Sequence, residues 1–196
     1  MDLETTIAAT RTYRRFNEKQ NLTKEALHQL IDLARLAGSS RNCQAWQYMI
    51  ITENDLCEDI FPYLGWAGYL QDWKGPASGE RPAAYVLCLL NHDWLNVPEK
   101  LAYFDLGISS QNLLLGAIEK NIGGCRIGAF SPKLADLFNI PPHLTLELVI
   151  ALGVPAEKVV IEKVDNNNTH YWRDENDIHR VPKRTLEDII ISLDRK

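Results

Sequence analysis

The segment between Pro98 and Asn121 limits this chain more than any other. Leu101, Phe104, Ile108, Leu113, Leu114, Leu115 and Ile118 fall nearly all round a 3.6-residue period, so a helix here has no broad side to give to water. Pro98 suits the first turn, where its missing N–H is no loss, and Gly123-Gly124 suits a stop. A long helix of this kind is expected to be buried. One stripe departs from the pattern: Asp105, Ser109, Asn112 and Gly116 share a face at i, i+4, i+7 and i+11. That stripe reads either as an exposed polar seam or as a line of close helix–helix approach, including approach across a dimer.

The other segments supply what surrounds such a helix. A first helix is expected from Leu3 to about Thr10. A second follows a Thr23 cap, with Ala26, Leu27, Leu30, Ile31, Ala34 and Ala37 on one face and Gly38 at its end. Trp46–Thr52, the continuous apolar run Ala84–Asn91 and Leu146–Gly153 read as strands, with Cys125–Phe130 a short strand or loop. Asp55–Tyr63 and Ser131–Phe138 read as short helices, and a last helix starts near Leu186. Trp66–Pro82, rich in Gly, Pro and aromatics, reads as an ordered loop or lid. Helices and strands mix without regular βαβ alternation, which points to an α+β fold in one domain, residues 1–196.

Composition removes several function classes. The net charge is −5, from 21 basic and 26 acidic residues, against the basic stripe of a nucleic-acid binder. No apolar stretch approaches the length of a membrane span. Cys43, Cys57, Cys88 and Cys125 show no CxxC pairing or zinc-like spacing with histidine, so no metal site is expected. The Met-Asp-Leu-Glu start lacks the basic and apolar regions of a signal peptide, which makes a cytoplasmic setting the expectation.

Four clusters could carry chemistry. Arg11-Thr12-Tyr13-Arg14-Arg15 offers guanidinium forks and a hydroxyl suited to phosphate, or else is a solvated basic turn. Ser39 to Trp46 offers hydroxyls and amides that suit ribose-like hydroxyls or heteroaromatic edges, although turns favour such residues anyway. Gly123-Gly124-Cys125-Arg126-Ile127-Gly128 lets backbone approach a flat ligand. It follows a helix and is not GxGxxG, which rejects a Rossmann dinucleotide site. Val181-Pro182-Lys183-Arg184 is a basic pair before the last helix.

Taken in order, these segments resemble the nitroreductase family over nearly the whole chain. Arg11-Thr12-x-Arg14 stands where the family shows Arg-Ser-x-Arg. Ser39-x-x-Asn42-x-Gln44-Ala45-Trp46 stands where it shows Ser-x-x-Asn-x-Gln-Pro-Trp. Asp105-x-Gly107 through Gln111-Asn112-Leu113-Leu114-Leu115 matches the long helix, and Gly123–Phe130 and Leu148–Pro155 complete the order. Thr12 keeps the hydroxyl of the serine it replaces, whereas Ala45 in place of proline loosens its turn.

The resemblance implies a mainly antiparallel sheet flanked by helices. It also implies a homodimer with two FMN molecules at its interface and an exchanged C-terminal arm, about residues 156–196, reaching the partner. Arg11, Thr12 and Arg14 map onto phosphate and pyrimidine-side contacts, with Lys183 or Arg184 also reaching the phosphate. Ser39, Asn42 and Gln44 map onto flavin-contacting positions, partly from the partner. Ile127 and Gly128 map onto the strand whose backbone faces the ring. The implied activity is transfer of hydride from NADH or NADPH through FMN to a nitroaromatic, quinone or similar small acceptor, in ping-pong fashion. The chemistry lies on the flavin, with no catalytic side chain. Arg14 and Arg126 are candidate cations for the charge on the reduced ring, and Trp66 and Tyr69 candidate stacking walls. Alternatives are reductive dehalogenation or flavin fragmentation on the same fold, and a flavin-binding sensor without turnover.

Overall fold

In the computed structural model, which describes residues 1–192, the helices are α1 (Leu3–Ala9), α2 (Lys24–Arg35), α3 (Asn54–Ile60), α4 (Glu99–Glu119) and α5 (Leu186–Ile189). The strands are β1 (Trp46–Ile51), β2 (Ala84–Asn91), β3 (Gly123–Ile127), β4 (Leu144–Gly153), β5 (Val159–Lys163), β6 (Trp172–Arg173) and β7 (His179–Lys183). Asp2 caps α1 by accepting from the Thr5 N–H at 2.8 Å, and Thr23 caps α2 by accepting from Ala26 at 3.1 Å.

The main sheet has the order β1-β2-β4-β3, antiparallel throughout. β2 is buried along its whole length. Its residues alternate between two cores: Tyr85, Leu87 and Leu89 face one, Ala84, Val86 and Cys88 the other. The second core is closed by α2 and α4. Covering both faces is why β2 reads as a continuous apolar run and not as an alternating one.

The stripe on α4 is a helix–helix seam within the chain. A Cβ on Gly116 would lie 2.1 Å from Leu33 Cδ1 of α2, so the leucine side chain packs straight onto the bare helix surface there. Asn112 Nδ2 meets the Leu33 carbonyl at 3.5 Å on the same line. The expectation that α4 is buried on nearly every side does not hold within one chain: Tyr103, Phe104 and Ile108 remain exposed, Phe104 by 57%. A further difference is local. The helix ends at Glu119, Asn121 takes the left-handed conformation (φ 57°) expected of a glycine, and Gly123-Gly124 instead begin β3. The short helix expected at Ser131–Phe138 is present as a 3-10 helix, Pro132–Phe138.

Beyond Pro155 the chain forms a second, three-stranded sheet, β5-β7-β6, with β5 and β7 parallel. It docks on its own chain: the Ala156 N–H donates to the Arg15 carbonyl at 2.9 Å and Phe16 bridges to Pro155. The tail is polar because charge pairs hold it here. Past Lys183 the character changes, and Leu186, Ile189 and Ile190 are exposed. The last four residues of the expected arm, 193–196, lie outside the described ones. Among the described residues, no helix is long and apolar enough to cross a membrane.

Candidate functional site

The arginine turn is built against β3. The Tyr13 N–H donates to the Gly124 carbonyl at 3.1 Å, and Thr12 bridges to Gly124 in parallel. Bare backbone makes this possible: a Cβ on Gly123 would sit 2.7 Å from the Tyr13 ring. Glu157 then pins the turn from the other side, its carboxylate accepting from the backbone N–H groups of both Arg14 and Arg15. The same carboxylate pairs with Arg173 at 2.6 Å, with 2% of its side-chain surface exposed.

This scaffold gathers Arg11, Thr12 and Arg14 with Lys183 and Arg126 around a cavity of ≈ 320 Å³, with no acidic side chain in its wall. Strand alternation explains which arm residues take part. His179, Val181 and Lys183, two residues apart on β7, all face the cavity. Arg184 lies outside it, its Nη1 donating to Asn167 Oδ1 at 2.5 Å. The sequence left Lys183 and Arg184 as alternatives; the structure brings Lys183 to the cluster.

Arg14 is the most enclosed of these cations, with 9% of its surface exposed. Its guanidinium lies 4.6 Å from the centre of the Tyr171 ring, and its Nη1 donates to His179 Nε2 at 3.1 Å. Among the described residues it has no carboxylate partner for its guanidinium. Arg11 Nη2 donates to the Ile7 carbonyl at 2.8 Å, and burial lowers its pKa from the ordinary value. Arg126 is exposed and hydrogen-bonds Ser110 and Gln111 of α4, each at 3.2 Å.

The second cluster is elsewhere. Ser39 and Gln44 line a separate cavity of ≈ 370 Å³ with Cys43, Trp46, Trp94 and Asp105. Asp105 of α4 shapes this turn by accepting from the Ser40 N–H at 3.0 Å and its hydroxyl at 3.2 Å. Ser39 Oγ accepts from the Gln44 N–H at 3.2 Å. Arg41, Asn42 and Gln44 all have φ near +50°, a conformation costly for arginine and glutamine, so the turn is held against local preference. Asn42 and Gln44 are exposed. Ile127 points into the core, whereas Gly128 is exposed just past the end of β3. The Gly124 carbonyl points away from β4, so by alternation the main-chain groups of Arg126 face the same outer edge.

The nitroreductase family model matches residues 7–154. The chain belongs to the nitroreductase family. It is 25% identical over 168 residues to a Methanothermobacter thermautotrophicus protein with the provisional name NADH dehydrogenase/NAD(P)H nitroreductase, covering 80% of this chain and 79% of that one. Among solved structures it is similar to a provisionally named nitroreductase from Desulfovibrio desulfuricans in complex with FMN. The TM-score is 0.72 at 18% identity, over 100% of this chain and 99% of that one. A second such complex with FMN, from Exiguobacterium sibiricum, gives 0.70 at 17% identity over 88% and 98%. These likenesses carry the fold.

Within this member of the family, sequence reasoning missed Tyr171, His179 and Glu157. They lie more than 140 positions from Arg14 and Arg15 along the chain, and only the fold brings them together. The one usable signal was parity: once Lys183 is a candidate on a strand, residues 181 and 179 share its face.

Proposed function

We propose that this chain is an FMN-dependent oxidoreductase that moves hydride from NADH or NADPH to a small acceptor such as a quinone or nitroaromatic. One observation carries the reading: a nearly buried guanidinium, Arg14, shares a cavity with Arg11, Arg126 and Lys183, and the wall holds no carboxylate to offset them. Burying an unpaired cation is costly, so such a cavity suits a ligand that brings its own negative charge. A terminal phosphate fits the paired donors of Arg11, the Thr12 hydroxyl and Lys183. FMN, when bound, supplies the hydride acceptance and donation. The protein's part is to bind it, leave one ring face open to donor and acceptor in turn, and hold cationic charge beside it through Arg14 and Arg126. The names and FMN complexes of the relatives support this reading.

The separation of the two clusters supports a site shared by two copies. Ser39, Asn42 and Gln44 of one copy complete the cavity of the other, and the open face of α4 (Tyr103, Phe104, Ile108) with the segment from Leu186 forms the contact. Full-length protein is therefore expected to sediment as a dimer; a flavin-bound monomer would overturn this arrangement. Four buried, unpaired cysteines suit a reducing compartment such as the cytoplasm.

The purified protein is expected to be yellow, to release FMN on denaturation, and to bleach when NADH or NADPH is added without oxygen. Release of FAD, or a colourless protein that FMN does not reconstitute, would refute the proposal. A coloured protein that never bleaches would favour a sensor without turnover.

No thiol is expected to take part. Burial pushes the Cys125 thiol up to about 11, which keeps it protonated and a poor nucleophile. Cys43→Ser and Cys125→Ser should each keep most NAD(P)H-dependent quinone and nitroaromatic reduction at matched flavin content. A loss of about a thousandfold with FMN still bound, roughly 4 kcal/mol of barrier, would make the thiol catalytic.

A further inference from the structure

Arginine has donors only, so at the Arg14–His179 contact the imidazole Nε2 is the acceptor and Nδ1 carries the proton. That Nδ1–H is buried and has no acceptor among the described residues. An orphaned buried donor is a cost that an apolar side chain of similar size would not incur. His179 is nonetheless 1% exposed, on a strand anchored by its own N–H to the Lys158 carbonyl at 2.9 Å. The Tyr171 ring packs against both members of the pair, 4.6 Å from the guanidinium and 5.2 Å from the imidazole.

We propose that His179 is a positioning residue which, as the neutral Nδ1–H tautomer, holds the Arg14 guanidinium at the wall of the cationic cavity and so sets the affinity of that cavity for its anion. The identity of the anion as FMN rests on the function proposed above; the histidine–arginine pair does not. The alternation of β7 makes the device part of the arm, because the strand that supplies Lys183 also supplies the acceptor for Arg14.

The surroundings keep the imidazole neutral. Burial first, then the charge of Arg14, push its pKa down to about 4; Arg173 acts in the same direction and Glu157 against it. Tyr171 contributes its ring face, and Arg11 and Lys183 add positive charge on the same cavity wall. In the unfolded chain the histidine takes up a proton near pH 6.5, whereas in the native chain it does so only near pH 4. The stabilisation tied to neutral His179 is therefore complete above pH 6.5 and is lost as the pH falls from there to about 4.

The test is nitrogen NMR of histidine-labelled full-length protein, with and without FMN, together with FMN titrations of two variants. His179 is expected to be neutral and Nδ1-protonated at pH 5.5, where an ordinary histidine is mostly charged. In Arg14→Ala, Nε2 should gain protonation because its donor is gone. His179→Gln, which can still accept, should bind FMN within about threefold of wild type, and His179→Leu about tenfold or more weaker. A charged or Nε2-protonated His179 in the wild type would overturn the proposal, whether or not the variants fold. So would a leucine variant that binds FMN as tightly as wild type. The expected tautomer in a protein that takes up no FMN would support the pair and overturn the cofactor reading instead.

Discussion

Replacing Arg11 and Arg14 together with alanine is expected to raise the FMN dissociation constant by about a hundredfold to ten-thousandfold, while turnover per bound flavin changes little. Hydrogen bonds to charged groups contribute about 1.5–3 kcal/mol each, and two such losses convert to that range. The two side chains are held before any ligand arrives: Arg11 by the Ile7 carbonyl, Arg14 between the Tyr171 ring and His179. Ordering that is already complete in the free protein is ordering the ligand does not have to drive, so removing these groups should show mainly in affinity. Thr12 and Lys183 remain in the double variant and should preserve weak, salt-sensitive binding. Fluorescence titration with FMN, followed by steady-state rates at saturating flavin, separates the two effects. An unchanged dissociation constant would move the anion site elsewhere.

Much of the fold could be read from residue patterns, and the reasons are physical. β2 shows in the sequence because both faces of the strand are covered, leaving no room for a polar residue until Asn91. α2 shows because a Thr23 cap and a one-sided apolar face are local signals. α4 was legible as a helix but not in its exposure. An apolar side chain bound for another copy looks the same in sequence as one bound for the core, and Phe104 and Ile108 are of the first kind under the proposed dimer. The stripe of Asp105, Ser109, Asn112 and Gly116 was visible, yet only the burial of Asp105 and Ser109 and the packing of Leu33 on Gly116 decide between an exposed seam and a packed one.

At the site, the motif Arg11-Thr12-x-Arg14 was legible because its members are neighbours. The choice between Lys183 and Arg184 was not, since it depends on the phase of β7. That strand begins at His179, two residues before the segment the sequence singled out. Glu157 stands in a polar stretch with nothing local to single it out. Its role comes from a contact between positions 14 and 157 that no local pattern encodes.

Glu157 is where the largest loss of stability is expected. Its carboxylate accepts from the Arg14 and Arg15 N–H groups and pairs with Arg173 at 2.6 Å, with 2% and 11% of the two side chains exposed. Removing one member of a buried pair leaves an uncompensated charge and typically costs about 3–5 kcal/mol. Glu157→Ala should fall in that range, because Arg173 then keeps Asp177, an acid 56% exposed, as its one carboxylate partner among the described residues, beside the Trp73 ring at 5.2 Å, and two backbone donors lose their acceptor. For a chain of this size that corresponds to a melting temperature lower by roughly 6–20 °C at fixed protein concentration. Glu157→Gln should be milder, since an amide oxygen can still accept from the backbone. Pairing Glu157→Ala with Arg173→Met should recover part of the loss by removing the stranded cation, but not all, because the backbone donors stay unsatisfied. FMN affinity should fall with stability in this series, since the carboxylate holds the backbone of the turn that presents Arg14. Urea and thermal melts of the four proteins, each with an FMN titration, test that ordering. An alanine variant within about 1 kcal/mol of wild type would show that the turn stands without its buried carboxylate.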